Sequence, residues 1–295
     1  MDPYHEGSRA VQERVGVREL ADHVGRSIGR GIKPVAAAFL GLQPMLVVGA
    51  ADRGGRLWAS LLTGEPGFVR ATGPRTVSVG AVPVAGDPLA AVLAEDETPV
   101  GTIALDPRTR RRMRLNGTAA PGARGFTVTA GEVFANCPKY LQHRELMPAE
   151  AELPAPGPAR HSPRLDAAQR RAVAEADTFF VATAAGDGVD VSHRGGNPGF
   201  VEVHSPNELS WPDYPGNAMF LTLGNLRTDP RAGLLFVDWT GGTTLQLTGT
   251  ARTDFTADGG RTVRFRITEA VEVPAASPLR WTGPRYSPAN PVPPR

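Results

Sequence analysis

The sequence predicts two tandem, mainly β domains of small-barrel type with a few helices, and three observations carry that prediction. The first is an internal repeat. A shift of 132 residues lays Ser60-Leu-Leu-Thr-Gly-Glu-Pro-Gly-Phe-Val69 over Ser192-His-Arg-Gly-Gly-Asn-Pro-Gly-Phe-Val201, with six of ten positions identical. Without a gap, the same shift pairs Pro74 with Pro206, Gly101 with Gly233, Asp106 with Asp238, and Gly117-Thr118-Ala119 with Gly249-Thr250-Ala251. A period this long means two domains rather than a solenoid. The second observation is the segment Pro148–Pro163, whose five prolines lock φ and predict a semi-stiff spacer free of helix and sheet. The third is that each copy holds many short strand patterns with one or two interposed helices, which is the pattern of a small barrel.

The elements follow in the same order in both copies. A short helix (Pro34 to Leu42; Asp166 to Ala176) leads into a strand (Met45–Ala51; Thr178–Ala184), a Gly-containing turn (Asp52–Gly55; Ala185–Gly188) and a second strand. Asp166 with Gln169 three residues on forms a capping-box pattern. After the Pro-Gly loop come two strands and a helical segment (Asp87–Glu95; Gly216–Thr228). An apolar strand (Val100–Leu105; Ala232–Val237) then meets its hairpin partner (Arg111–Thr118; Thr243–Thr250), and a closing strand lies near Gly125–Phe134 and Arg261–Val271. Residues Glu6 to Ile32 carry Val11, Val15, Leu20, Val24, Ile28 and Ile32 near helical spacing, and predict one amphipathic helix weakened by Gly16, Gly25 and Gly29. The expected organisation is a helical segment at 1–33, a first domain at 34–147, a Pro-rich linker at 148–164 and a second domain at 165–295.

Composition narrows the function classes. The 295 residues are 41% hydrophobic and 21% charged, which gives each half enough apolar material for a core and excludes wholesale disorder. No stretch reaches the roughly 18 apolar residues of a membrane span, and the N-terminus lacks the apolar core of a signal peptide, so a cytoplasmic protein without membrane association is expected. A net charge of +2 predicts no attraction to nucleic acid. The run Arg108-Thr-Arg-Arg-Arg-Met-Arg114 falls on a hairpin and strand and reads as an exposed strand face. The single cysteine, Cys137, permits neither an internal disulfide nor a multi-cysteine metal site and reads as inert. Only Lys33 and Lys139 are lysines in an arginine-dominated chain. Fingerprints of Rossmann dinucleotide binding, phosphate-binding loops, HExxH zinc sites and GxSxG nucleophile elbows are all missing.

Five stretches carry a resemblance to a known family. They are Ser192–Val201, Leu209-Ser-Trp-Pro-Asp-Tyr-Pro-Gly-Asn217, Met219-Phe-Leu-Thr-Leu-Gly-Asn-Leu226, Asp229-Pro-Arg-Ala-Gly-Leu-Leu-Phe236 with Asp238-Trp239, and Asn136-Cys-Pro-Lys-Tyr-Leu-Gln142 in the first copy. Together they resemble the FMN-binding split β-barrel proteins of the pyridoxamine 5'-phosphate oxidase type. The resemblance implies two split barrels forming a dimer within one chain, with FMN at their interface; deazaflavin and haem are its lesser alternatives. It also implies that the phosphate is held by basic and hydroxyl side chains. The candidate contacts are His193, Arg194, Gly195, Trp211, Tyr214, Asn217, Thr222 and Asn225 in the second copy and Asn136, Lys139 and Tyr140 in the first. Barrel packing competes for Trp211 and Tyr214, and backbone capping for Asn217, Thr222 and Asn225.

Comparing the copies assigns the site. Where the second has His193, Arg194, Asn197, Tyr214, Asn217, Thr222 and Asn225, the first has Leu61, Leu62, Glu65, Val82, Ala85, Ala90 and Leu93. Leucines and alanines cannot solvate a phosphate, so one FMN per chain is expected, seated in the second copy and completed by the first. The implied activity is a flavin-dependent oxidoreductase acting on an unidentified small molecule. A non-catalytic flavin-binding or electron-relay module stands beside it, and a homodimer of the whole chain stays open. No catalytic acid or base is identified.

Overall fold

The computed structural model describes residues 2–148 and 153–291. Its first half carries helices α1 (Glu6–Val15), α2 (Arg18–Gly25) and α3 (Pro34–Gly41), then strands β1 (Met45–Ala51), β2 (Leu57–Thr63), β3 (Val69–Ala71), β4 (Thr76–Val79), β5 (Thr98–Asp106), β6 (Arg111–Gly122) and β7 (Gly125–Ala135). Strand β8 (Arg160–Ser162) and helix α4 (Ala167–Glu175) follow. The second half continues with β9 (Thr178–Ala185), β10 (Gly188–Gly195), β11 (Glu202–Ser205), β12 (Glu208–Pro212), α5 (Leu221–Thr228), β13 (Arg231–Val237), β14 (Thr244–Phe255) and β15 (Arg261–Val273).

The chain is a pair of split β-barrels. One antiparallel sheet runs β2-β1-β5-β6-β7-β4-β3 and the other β10-β9-β13-β14-β15-β12-β11, so strands related by the sequence shift occupy the same place in each. Both sheets also carry a bulge at the same point, at Asn116/Gly117 and at Thr248/Gly249. Glycine is required there. A Cβ on Gly117 would lie 2.0 Å from the Thr129 carbonyl oxygen, and one on Gly249 1.9 Å from that of Arg266.

The barrels meet across a pseudo-two-fold interface. A Cβ on Gly101 in β5 would lie 2.7 Å from Asp190 Cα in β10, and one on Gly233 in β13 would lie 2.7 Å from Trp58 Cα in β2. Asp190 and Trp58 are themselves related by the shift of 132. The repeated glycines thus mark where two backbones touch. Around them Met45, Val47, Ile103, Phe180, Val191 and Leu235 form a core shared by both barrels. The polar contacts are paired too: Arg114 donates to Ser192 Oγ at 2.7 Å, and Gln246, at the equivalent position, donates to Ser60 Oγ at 3.0 Å.

Three expectations need correction. The N-terminal segment is two helices, because Gly16 takes a left-handed conformation (φ +73°) and its N–H caps the Gln12 and Glu13 carbonyls. Helix α1 packs on the second barrel, with Val11 in that barrel's core and Gly7 against the Gly224 carbonyl of α5. The linker is not free of sheet. Its proline-free stretch Arg160–Ser162 pairs with Ala270–Glu272 of β15, since Pro158 and Pro163 flank it and leave its own N–H groups available. Finally, 87–95 is mostly turn with only a 3₁₀ stretch at Val92–Ala94, as expected of a segment entered through Pro83, Gly86 and Pro88. The capping box of α4 forms, with Asp166 and Gln169 exchanging both hydrogen bonds.

At the mirror of the Arg114 contact lies a buried carboxyl. Asp87, 8% exposed, accepts from Ser60 Oγ (2.6 Å), Leu89 N (2.8 Å) and Gln246 Nε2 (3.1 Å) but has no cation among the described residues. Burial pushes it up to about 6. Because the folded value lies above the unfolded one, ionising Asp87 destabilises the fold as pH rises from about 4 through 6. Asp87→Asn is therefore expected to raise stability at pH 8 by on the order of 2–3 kcal/mol, with the gap closing below pH 4. Urea unfolding of both proteins across pH 4–8 reads this; a gap independent of pH would contradict it.

Candidate functional site

One cleft between the barrels gathers most of the polar residues singled out in the sequence. It encloses about 830 Å³, part of it open to solvent. The first barrel contributes Arg112 and Arg114 of β6 and the segment Asn136–Tyr140 after β7; the second contributes His193–Gly195 at the end of β10 and the loop from Asp213 into α5.

Local structure explains how these segments reach one another. Alternation along β6 puts Met113 and Leu115 into the first barrel's core, so Arg112, Arg114 and Asn116 face out toward the second barrel. The 136–140 segment is pinned by Gln142, whose amide donates to the carbonyls of Tyr140 (3.1 Å), Asp177 (3.3 Å) and Gly196 (3.1 Å). Across the mouth, Tyr140 Oη donates to the Pro215 carbonyl at 2.9 Å, and its ring lies 5.2 Å from that of Tyr214. Gln12 of α1 holds the opposite loop by donating to the Met219 carbonyl at 2.9 Å. Of the six non-glycine residues with positive φ among the described residues, three line this cleft: Tyr140, Ala218 and Phe220. Such strain persists where the surroundings over-determine the backbone, and it concentrates at ligand sites.

The cleft is strongly cationic. Arg112, Arg114, Lys139 and Arg194 line it against one carboxylate, Asp213. Arg114 is neutralised by Asp190 at 2.8 Å. Asp213 is already gripped by Arg261 at 3.0 Å and stands 3.6 Å from Arg194. Arg112 has no carboxylate partner among the described residues. It donates to His193 Nδ1 and to the carbonyls of Cys137 (2.6 Å) and Lys139 (3.4 Å). Burial, with Arg114 and Arg194 nearby, lowers it to about 9, and burial also lowers Arg194. His193 is 4% exposed, and burial among three arginines holds it well below the usual histidine value, hence neutral. Since Nδ1 accepts from Arg112, the proton sits on Nε2, which has no acceptor; the Nε atoms of Arg112 and Arg194 and Oδ1 of Asn136 are also unmatched. Buried polar groups of this kind imply a partner.

Nine of the eleven residues singled out in the sequence line this cleft: Asn136, Lys139, Tyr140, His193, Arg194, Gly195, Tyr214, Asn217 and Thr222. Two do not. Trp211 is a core residue, 1% exposed, its ring 5.1 Å from Phe179 and 6.4 Å from Phe265. Asn225 sits farther along α5, bonded to Thr183 Oγ1 (2.9 Å) and His5 Nε2 (2.8 Å). Conversely, Arg112, Arg114 and Asp213 line the cleft without having been singled out. The arginine run is therefore not simply an exposed face: Arg111 is exposed, Arg112 half-buried and Arg114 buried. The apolar alternation at Met113 and Leu115 was the available signal.

The equivalent position on the first barrel is filled. There Leu62 belongs to an apolar cluster with Val271, Val273 and Ala276 from the second half of the chain, against which Ala81, Val84 and Ala159 also pack.

Residues 165–269 match the family model described as pyridoxamine 5'-phosphate oxidase. Among solved structures, the chain is similar to the FAD binding protein of Mycobacterium smegmatis (11% identity, 38% of this chain and 97% of that one, TM-score 0.28). A Clostridium acetobutylicum protein related to general stress protein 26, of the pyridoxinephosphate oxidase family, matches at 12% identity over 38% and 88% of the chains, with TM-score 0.28. A conserved protein from Corynebacterium diphtheriae matches at 9% identity over 40% and 98%, with TM-score 0.30. A search of the curated proteins finds no match.

Proposed function

We propose that this chain, whose second barrel belongs to the pyridoxamine 5'-phosphate oxidase family, binds one FMN in the inter-barrel cleft and serves as a flavin-dependent oxidoreductase for a small molecule. The observation that carries the reading is the asymmetry of two equivalent positions: one holds Arg112, Arg194 and a neutral His193 with unmatched donors, and the other is packed with valine and leucine.

The residues fit a phosphorylated flavin. Arg112 and Arg194 offer guanidinium donors to phosphate oxygens, for which their planar fork is suited. His193 Nε2–H offers a donor to a carbonyl or ring-nitrogen acceptor without adding charge. The Tyr140–Tyr214 pair covers the mouth and limits water. Bound flavin would supply hydride transfer, and the protein the orientation and electrostatics. Among the described residues no helix is long and apolar enough to cross a membrane.

The test compares FMN with riboflavin by fluorescence quenching. Because the phosphate would engage two half-buried cations, Arg112 and Arg194, each charge-assisted bond contributing about 1.5–3 kcal/mol, riboflavin should bind at least a hundredfold more weakly. Equal affinities for the two would remove the basis of the assignment.

A further inference from the structure

Two polar residues adjoin the segments that build the cationic cleft without lining it. Asn197 follows Arg194-Gly195-Gly196, and Gln142 ends the segment Asn136–Gln142. Both are bonded instead to residues 277–291, a segment that follows β15. Trp281 anchors that segment: it is 2% exposed in the core shared by the barrels, with its ring 5.9 Å from that of Trp239. From there the chain runs antiparallel to 143–147. Thr282 N–H donates to the Glu145 carbonyl at 2.9 Å, and His143 and Arg285 exchange backbone hydrogen bonds at 3.0 and 2.9 Å. Arg110, in the β5–β6 turn, donates to the carbonyls of Arg285 (3.1 Å) and Tyr286 (3.3 Å).

Beyond Tyr286 the segment reaches Gln142, which is 2% exposed. Gln142 Oε1 accepts from Ser287 N–H at 2.8 Å and from Asn290 Nδ2 at 3.1 Å. Asn290 Nδ2 also donates to Asn197 Oδ1 at 3.0 Å, and Asn197 Nδ2 donates to the Pro291 carbonyl at 3.0 Å. On its other side, Gln142 Nε2 shares its two hydrogens among the carbonyls of Tyr140, Asp177 and Gly196. Turning the amide over would set N–H against N–H on one side and oxygen against three carbonyls on the other. The donors of 287–290 therefore fix which way Gln142 points. The carbonyls it joins belong to opposite walls of the cleft, Tyr140 to the first barrel's segment and Gly196 to the residue after β10. The walls touch there, since a Cβ on Gly195 would lie 2.0 Å from the Tyr140 carbonyl oxygen. Loss of the shared donor would leave buried carbonyls unpaired at the point where the walls meet.

We propose that residues 287–291 are a positioning element for the cationic cleft: by occupying Gln142 Oε1 they hold the amide that ties Lys139 and Tyr140 to the end of β10, and so set the spacing between those residues and His193 and Arg194. The effect on flavin rests on the reading of that cleft as the FMN site. The effect on the walls does not.

The experiment compares the full chain with Asn290→Ala and with a chain lacking residues 287–295, which keeps Trp281 and the Arg285–His143 pairing. Without flavin, amide hydrogen exchange at 139–142 and 195–197 should quicken roughly tenfold in the shortened chain and less in Asn290→Ala, while β5 and β13 in the shared core exchange as before. With FMN, affinity should fall about fivefold or more in the shortened chain, and the visible absorption of the bound flavin should move toward that of free FMN. Should the shortened chain fail to fold, Asn290→Ala, at a half-buried position, carries both readings. Unchanged exchange at 139–142 and 195–197 would overturn the proposal whether or not FMN binds. Faster exchange with unaltered FMN affinity and spectrum would overturn it as well, by reducing the segment to a local clamp. If the full chain binds no FMN, the flavin reading fails, and the exchange data alone decide whether these residues hold the walls together.

Discussion

Arg194→Ala is expected to weaken FMN at least tenfold while leaving the fold intact. Arg194 is half-buried, donates to Ser192 Oγ at 2.7 Å and to the His193 carbonyl at 3.2 Å, and faces at 3.6 Å an Asp213 that is already gripped by Arg261. Removing it deletes charge-assisted bonds worth roughly 1.5–3 kcal/mol each to a phosphate. It also relieves a desolvated cation in the empty protein, so thermal stability without ligand should hold or rise. Leu62→Ala at the equivalent position should behave in reverse. Leu62 is 1% exposed in the first core, so its truncation should cost about 2–5 kcal/mol of stability with FMN affinity retained. Parallel titrations and melts of both variants read the contrast. Similar effects of the two substitutions on FMN would place the phosphate elsewhere.

Gly101→Val is expected to separate the barrels. Its Cβ would lie 2.7 Å from both Asp190 Cα and the Val189 carbonyl oxygen, backbone atoms of β10 that cannot rotate away. Overpacking of a rigid contact typically costs 1–3 kcal/mol, and more where backbone must move; about 3 kcal/mol or more is expected here. The shift is transmitted to His193 and Arg194 on the same strand, so FMN affinity should fall as well. Gly41→Ala, at a helix end with nothing within 4 Å, serves as the neutral control. Denaturation midpoints comparable for the two variants would mean that the barrels do not rely on this contact.

The fold was largely legible because the repeat preserved residues whose backbone role is unusual. Gly101 and Gly233 mark the interface, and Gly117 and Gly249 mark the bulges, so identity between copies reported geometry directly. The cationic cleft was legible where polar residues replaced leucine and alanine between copies, as at His193 and Arg194. It was illegible where the comparison is silent. Arg112 and Arg114 correspond to Thr244 and Gln246, polar on both sides, and in a run of arginines they looked solvated; only the tertiary placement of β6 against β10 buries them. Asn225 and Trp211 lie outside the cleft for the opposite reason. A polar residue on α5 and an aromatic in β12 fit a ligand site by type, but a helical turn carries Asn225 away, and Trp211 points into the barrel. Docking of α1 on α5 could not be read from period alone, since an amphipathic stripe does not say which surface receives it.

The claim that one member of a duplicated pair became a flavin site and the other was filled is tested most directly by the stoichiometry of FMN binding to the full chain. Calorimetric titration of flavin-free protein, with concentration fixed by amino-acid analysis, should give one equivalent per chain, abolished or strongly weakened in Arg112→Met/Arg194→Ala. Two equivalents per chain, or none, would contradict it.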